Sequence, residues 1–287
     1  MRFKTFVPGH ISCIFRPVRT DDIATTGSMG FGIRLNLGCT ATVWKRDDDK
    51  VNICINGKRC EASITRAAVN SMVPEGGLEI RLKHDLPLEQ GFGASASGTY
   101  AAALSVADLF GLGRNDALSA THRMECSMGG GLGDLLAIDS GFGVPIRESA
   151  GLPFVSGRTS DSGLSFKELS LVVFKEPLST KSVLSDEETM SRIVREGDRS
   201  MKMFSSDRTI AGLFKASNSF SEGIGLESDE LRDALLSIRK EGHQAGMCML
   251  GNSVFTTAPT KVLDDMFQDV QIISCGSYSG PIETTRV

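Results

Sequence analysis

The chain has 287 residues, 40% of them hydrophobic and 23% charged, with a formal net charge of −4. That length accommodates one large domain or two ordinary ones of globular composition. The acidic balance excludes a broad basic face, and with it a nucleic-acid partner.

The seven cysteines, at 13, 39, 54, 60, 126, 248 and 275, form no Cys-x-x-Cys pair. This argues against a zinc site or a disulfide framework and for reduced thiols. The opening MRFKTFVPGH lacks the uninterrupted apolar stretch of a signal peptide, and no apolar run reaches the length of a membrane span. A soluble cytoplasmic protein with no membrane partner is expected.

In chain order, residues 3–15 (FKTFVPGHISCIF) predict a strand interrupted at Pro8-Gly9. Residues 30–46 alternate through Leu35, Leu37, Cys39, Ala41 and Val43 at strand period. The mixed charge run KRDDDK at 45–50 predicts a solvated turn. Asn56-Gly57 between two short runs predicts a hairpin. Leu78, Ile80 and Leu82 predict a further strand. A helix carrying Tyr100, Leu104 and Ala107 on one face stops at Gly111, and a second helix starts after Asn115 as N-cap. The glycine cluster at 129–133 breaks that helix, and a short helix over 135–140 (LLAIDS) and a strand over 141–149 follow.

The order to about residue 155 is strands, then helices, then a strand, which is α+β. The polar, Gly/Ser-rich stretch 156–166 predicts a connector between units 1–155 and 156–287. The second unit holds a strand over 168–175 and helices near 186–203, 207–221 and 229–240. In the third of these, Leu231, Leu235 and Ile238 keep helical spacing. The segment MLGNSVFTTA, a helix at 260–269 and a last strand within 271–280 complete it.

The segment Gly91-Phe92-Gly93-Ala94-Ser95-Ala96-Ser97 is unsuited to a helix interior yet opens one. A helix N-terminus leaves backbone N–H groups unpaired and carries positive dipole charge, and glycines let the backbone approach an anion. A phosphate cradle is one reading, and a tight loop packed on a neighbouring strand is the other. No Lys follows in the manner of a P-loop, and position 96 is Ala where a dinucleotide-binding fingerprint needs Gly.

The same stretch, PLEQGFGASAS, resembles the second motif of the GHMP kinase superfamily, Pro, three residues, then Gly-Leu-Gly-Ser-Ser-Ala-Ala. Pro87, Gly91, Gly93, Ser95 and Ala96 match, while Phe92, Ala94 and Ser97 depart. VPGHISCIF resembles the first motif. GHQAGMCMLGNSVF stands in the place of the third and is poorer in glycine. Together with GSMGFGI and GLGDLLA, these segments resemble the archaeal pantoate kinase branch nearly end to end.

The resemblance implies a two-lobed fold, ribosomal S5-like at the N-terminus and ferredoxin-like at the C-terminus. It implies ATP-dependent, Mg²⁺-dependent phosphorylation of pantoate towards coenzyme A, and a homodimer. It assigns the ATP phosphates to Gly91–Ser97, the metal to Ser95 and Glu125, and the catalytic base to Asp134. His10 stands where many relatives carry Lys, beside base and substrate. Ser12 and Ser28 are substrate-side candidates, and Arg34 is a candidate partner for the substrate carboxylate. Relatives favour a basic residue near position 29, where this chain has Met29. Ser179 to Lys181 and Lys215 are candidates of lower rank, for which solvated surface is the alternative.

The structural alternatives are a first-turn Ser95, an exposed helix carboxylate at Glu125, an N-cap Asp134 and a structural His10. Two other functions stay open. One is a kinase of the same superfamily acting on another small hydroxy acid or alcohol, of mevalonate or homoserine type. The other is a catalytically silent nucleotide-binding module, against which the joint presence of Ser95, Glu125 and Asp134 argues.

Overall fold

The computed structural model describes residues 1–175 and 187–287. Its frame is a long antiparallel pair, β1 (Arg2–Val18) and β2 (Gly27–Lys45). Pro8-Gly9 does not interrupt β1, contrary to the sequence expectation. The register shifts between Pro8 and His10 instead, since proline has no N–H to give a ladder. A second shift falls between Ser12 and Ile14.

The hairpin β3 (Val51–Ile55) and β4 (Lys58–Arg59) turns on Asn56 and Gly57, both left-handed (φ 48° and 80°). Helix α1 (Ser63–Met72), which the strand patterns did not announce, buries Thr65, Ala68 and Val69. Strand β5 (Leu78–His84) buries alternate residues and pairs with β2 and, in parallel, with β3. Helix α2 (Ala94–Phe110) ends on left-handed Gly111, as expected. Helix α3 (Arg114–Met128) begins two residues earlier than the Asn115 cap predicted, because the Asp116 carboxylate reaches back to accept the Gly113 N–H at 2.8 Å. Helix α4 (Asp134–Asp139) and β6 (Pro145–Ser149) follow.

The expected connector contains a strand, β7 (Arg158–Asp161), paired with β6. Neither of its faces is buried, so it shows no apolar alternation. The C-terminal half holds β8 (Leu169–Val173), α5 (Glu187–Ser206), α6 (Ile210–Ile224), α7 (Asp229–Lys240), β9 (Ala245–Met247), β10 (Ser253–Thr256), α8 (Thr260–Met266) and β11 (Gln271–Cys275). Strand β12 (Thr284–Arg286) then returns to the edge of β1. Helix α6 starts later than expected because the Thr209 side chain caps it, accepting the Gly212 N–H at 3.0 Å. β9 and β12 are too short to register as alternation.

Among the described residues, one sheet runs β12-β1-β2-β5-β3-β4 with β6 and β7 branching from β2. The other is antiparallel, in the order β11-β8-β10-β9. This is the expected α+β architecture. One apolar core packs α2 against β2 and β5. The other joins Phe166, Phe214, Phe220 and Phe255 to Ile11, Ile14 and Ile33, so the long strand pair serves both halves. No helix among the described residues is long and apolar enough to cross a membrane.

Candidate active site

A cleft of about 410 Å³ opens between the glycine loop before α2, the 129–134 loop between α3 and α4, and the Met249-Leu250 turn. Gly91 and Gly93 both take left-handed backbone (φ 79° and 61°), which side chains disfavour. Gly93 is the N-cap of α2, and no side chain caps that end, which leaves its first N–H groups to the cleft. Gly91, Phe92, Gly93, Ala94, Ser95 and Ala96 all line it. Ser97 does not: its hydroxyl turns inward to donate to the Ala94 carbonyl at 3.2 Å.

On one side of the cleft, the Ser95 hydroxyl donates to Glu125 Oε1 at 2.6 Å. Glu125 is 3% exposed and not the solvated helix carboxylate of the structural alternative. Its Oε2 is buried without a hydrogen bond of normal geometry, the Gly131 N–H giving the carboxylate only a weak pull. Burial, with the nearby charge of Asp134, pushes the carboxyl up to about 7 against the Ser95 hydrogen bond. Gly130 leaves room for it, since a Cβ there would lie 2.2 Å from Oε2 and push the carboxylate aside. Among the described residues no group of three or more His, Cys, Asp or Glu could hold a metal. The pair offers one hydroxyl and one carboxylate, hard oxygen donors of the kind Mg²⁺ takes alongside phosphate and water. The orphaned Oε2 fits that role.

On the other side, His10 Nδ1 lies 2.7 Å from Asp134 Oδ1. His10 is fully buried, while the Asp134 side chain keeps 26% of its surface, on the cleft. Asp134 is the first residue of α4, and Gly133 takes the cap position, so the N-cap alternative does not describe it. Behind His10 stands Arg147 of β6, also fully buried. Its Nη1 is 3.4 Å from His10 Nε2, and its Nη2 donates to the Ile14 carbonyl at 3.2 Å and the Ser12 hydroxyl at 3.4 Å. A guanidinium only donates, so Nε2 must accept, and the imidazole is neutral with its proton on Nδ1, aimed at Asp134. Burial holds the His10 pKa down, against the pull of Asp134. Burial raises the Asp134 pKa, but the His10 hydrogen bond and the Arg147 charge outweigh it and hold the carboxyl below its usual range. The ionised Asp134, neutral His10 and cationic Arg147 form one relay.

Ser12 and Ser28 line the cleft as expected. Arg34 does not. It is fully buried elsewhere, donating to the carbonyls of Phe142, Tyr278 and Gly280 at 3.2–3.4 Å, and no part of it reaches the cleft. The sequence alternation could not fix its face, and the irregular pairing of β1 and β2 beside it shows why. Lys215 is an exposed residue of α6 outside the cleft, and Ser179 to Lys181 lie outside the described residues. Arg147 is the residue that sequence reasoning missed. The available signal was a cation directly after the apolar run Val144-Pro145-Ile146, in a short strand.

Residues 59–141 match the family model described as GHMP kinases N terminal domain. The chain is 30% identical over 270 residues to a pantoate kinase of Thermococcus kodakarensis, covering 89% of this chain and 87% of that relative. It is 30% identical over 261 residues to a pantoate kinase of Methanospirillum hungatei, covering 88% and 86%. Among solved structures it superposes on a phosphotransferase related to the CoA biosynthesis pathway with a TM-score of 0.89 and 25% identity, over 100% of this chain and 99% of that one. A mevalonate-3-kinase of Thermoplasma acidophilum shares the fold, with a TM-score of 0.65 and 12% identity over 99% and 98%.

Proposed function

The chain belongs to the pantoate kinase family of the GHMP kinases, and from that premise we infer that it transfers the γ-phosphoryl group of ATP to pantoate, giving 4-phosphopantoate on a route to coenzyme A. The observation that carries the reading is the placement of two chemically different carboxylates on one cleft. Glu125 is orphaned and oxygen-paired with Ser95, and Asp134 is ionised and aimed by His10.

The glycine loop, with the open N-terminus of α2, seats the triphosphate. Ser95 and Glu125 would hold Mg²⁺, which when bound neutralises charge on the phosphate oxygens. Asp134 accepts the hydrogen bond of the attacking hydroxyl and takes its proton as the new ester bond forms. His10 fixes the carboxylate's orientation, and Arg147 fixes the His10 tautomer and keeps Asp134 ionised. Among the described residues no Lys or Arg lines the cleft. The pantoate carboxylate is therefore met by the Ser12 and Ser28 hydroxyls, with the Arg147 charge directly behind Ser12. Lobes at 1–155 and 156–287, with β7 and β12 returning to the N-terminal sheet, a homodimer and a cytoplasmic location belong to the same reading.

The test is ADP release by the purified protein with ATP and Mg²⁺. Pantoate should accelerate it, while mevalonate and homoserine should not. Release no faster with pantoate than without it, alongside turnover of either other alcohol, would overturn the substrate and leave the family. No release with any of them would favour the silent nucleotide-binding module.

A further inference from the structure

Residue Gln90 precedes the glycine loop and is almost fully buried, at 5% exposure. Its neighbours in space come from the C-terminal sheet. Strands β8 and β10 pair antiparallel, and the last regular pair is Val173 with Ser253. One residue further on, Phe174 N–H donates to the Asn252 carbonyl at 3.1 Å. In a regular ladder Asn252 N–H would return a bond to the Phe174 carbonyl. Here the Gln90 amide is inserted between them. Asn252 N–H donates to Gln90 Oε1 at 3.2 Å, and Gln90 Nε2 donates to the Phe174 carbonyl at 2.9 Å.

A side-chain amide thus serves as the missing peptide unit at the end of a sheet, and it does so from the loop that makes the cradle. The backbone joins in. The Ser253 hydroxyl donates to the Gln90 carbonyl at 2.7 Å, and Gly251 lies so close that a Cβ there would stand 2.2 Å from that carbonyl. Glu89 and Leu250, on the two sides of this contact, are non-glycine residues held left-handed (φ 60° and 63°), and both line the cleft. Surroundings that hold such backbone must over-determine it.

We propose that Gln90 is a positioning residue for the nucleotide: it stitches the phosphate-binding loop to the C-terminal sheet and sets the gap between Gly91–Gly93 and the Met249-Leu250 turn. This rests on the reading of the glycine loop as the seat of ATP. Only a primary amide supplies one N–H and one C=O in peptide geometry, and asparagine is one methylene too short to span the ring. When Gln90 is removed, Asn252 N–H and the Phe174 carbonyl are free to bond each other, so the sheet closes and the loop is released. The fold survives and the cradle loses its register.

Gln90→Met keeps the length and apolar body of the side chain and removes both polar ends. Gln90→Glu keeps the shape but turns a carboxylate oxygen onto the Phe174 carbonyl. Both should raise the ATP dissociation constant measured by calorimetry, and KM for ATP, by about tenfold, the scale of a lost buried hydrogen-bonded pair. KM for pantoate should stay within about twofold of wild type, since the hydrogen bonds of Gln90 run to Phe174, Asn252 and Ser253 and not to Ser12, Ser28 or Asp134. Ser253→Ala removes one hydrogen bond from the same junction and should act in the same direction by about threefold, which keeps the test available if a Gln90 variant does not fold. A merely structural Gln90 would lower the melting temperature and leave both KM values of the folded enzyme unchanged, and that result overturns the proposal. Wild-type protein that binds no ATP, or that binds it equally well with Gly93→Val, overturns the reading of the loop itself and the proposal with it.

Discussion

Glu125 should make the protein less stable than it could be, and the size of that penalty can be worked from its surroundings. Burial lifts its carboxyl from an ordinary 4.5 to about 7, although Ser95 donates to it. A folded-state pKa above the unfolded value means that the folded chain holds the proton more tightly. The stabilising contribution is then complete below pH 4.5 and is lost as pH rises through about 7. A displacement of some 2.5 units corresponds to roughly 3 kcal/mol at about pH 8. Glu125→Gln carries no charge at any pH and keeps the acceptor for Ser95, but its amide N–H₂ replaces Oε2, which makes no hydrogen bond of normal geometry. That orphaned donor costs about 1 kcal/mol, leaving a net gain of about 2 kcal/mol in the metal-free variant near pH 8. The gain should disappear near pH 5, where the folded wild type is already protonated. Urea unfolding of both proteins without Mg²⁺ at the two pH values measures it. A Glu125→Gln variant no more stable than wild type at the higher pH, or a difference independent of pH, would refute the assignment of Glu125 as a buried, uncompensated carboxylate. The same variant should need far more Mg²⁺ for half-maximal turnover, so stability and activity move in opposite directions.

Asp134→Asn should lower kcat by on the order of 10²–10⁴ with ATP affinity unchanged and no rescue by excess Mg²⁺, checked by steady-state kinetics and calorimetry. A smaller fall would make Asp134 an orienting group, since loose phosphoryl-transfer transition states ask little of a base. Arg147→Met should lower kcat by about tenfold or more and move the acid limb of its pH profile upward, because the cation that helps hold Asp134 ionised and fixes His10 is gone. Arg34→Met should instead cost about 1–3 kcal/mol of stability through three carbonyls left without their donor, with KM for pantoate unchanged. At limiting Mg²⁺ the acid limb of activity should fall near pH 7 and move lower as Mg²⁺ rises, because metal and proton compete for Glu125.

Much of the site was legible because its chemistry is local in sequence. The glycine loop and its helix occupy one continuous segment, and Glu125 and Asp134 flank another glycine cluster; spacing alone left that loop open between a cradle and a tight turn, and the resemblance to the GHMP kinases supplied the roles of Ser95, Glu125 and Asp134. The pairing of Ser95 with Glu125 and of His10 with Asp134 follows from that order once the fold is given. Arg147 and Gln90 were not legible. Each acts through contacts 84 to 163 residues distant in the chain, and each is a polar residue whose partners are backbone groups, hydroxyls or a ring nitrogen, which leave no charge pattern behind. The face of Arg34 was not legible for the complementary reason. Strand periodicity assigns faces only where a ladder is regular, and between Pro8 and Ile14 it is not.

The same strand holds both walls of the cleft. In an unbroken antiparallel pair the N–H and C=O groups of β1 that face β2 would be bonded to β2. At the first register shift His10 N–H goes to the Phe92 carbonyl of the glycine loop at 2.9 Å. At the second, the Ser12 carbonyl accepts Met249 N–H at 3.2 Å, and the Cys13 carbonyl accepts the Ser217 hydroxyl of α6 at 3.2 Å. One tie therefore fixes the phosphate loop and the next fixes the turn opposite it, from backbone two residues apart. His10 and Ser12 stand on the same face of the strand between those ties, which places the neighbour of the base and a substrate-side hydroxyl at fixed distances from both walls. His10 and Ser12 sit opposite β2 as non-hydrogen-bonded pairs, since Arg34, the partner of His10, sends its own N–H to the Gly143 carbonyl and accepts from Tyr278, so their backbone groups turn away from β2 towards the two loops. The Pro-Gly step that reads in the sequence as a break is the start of the framework that brings Asp134, Ser12 and the glycine loop to one cleft.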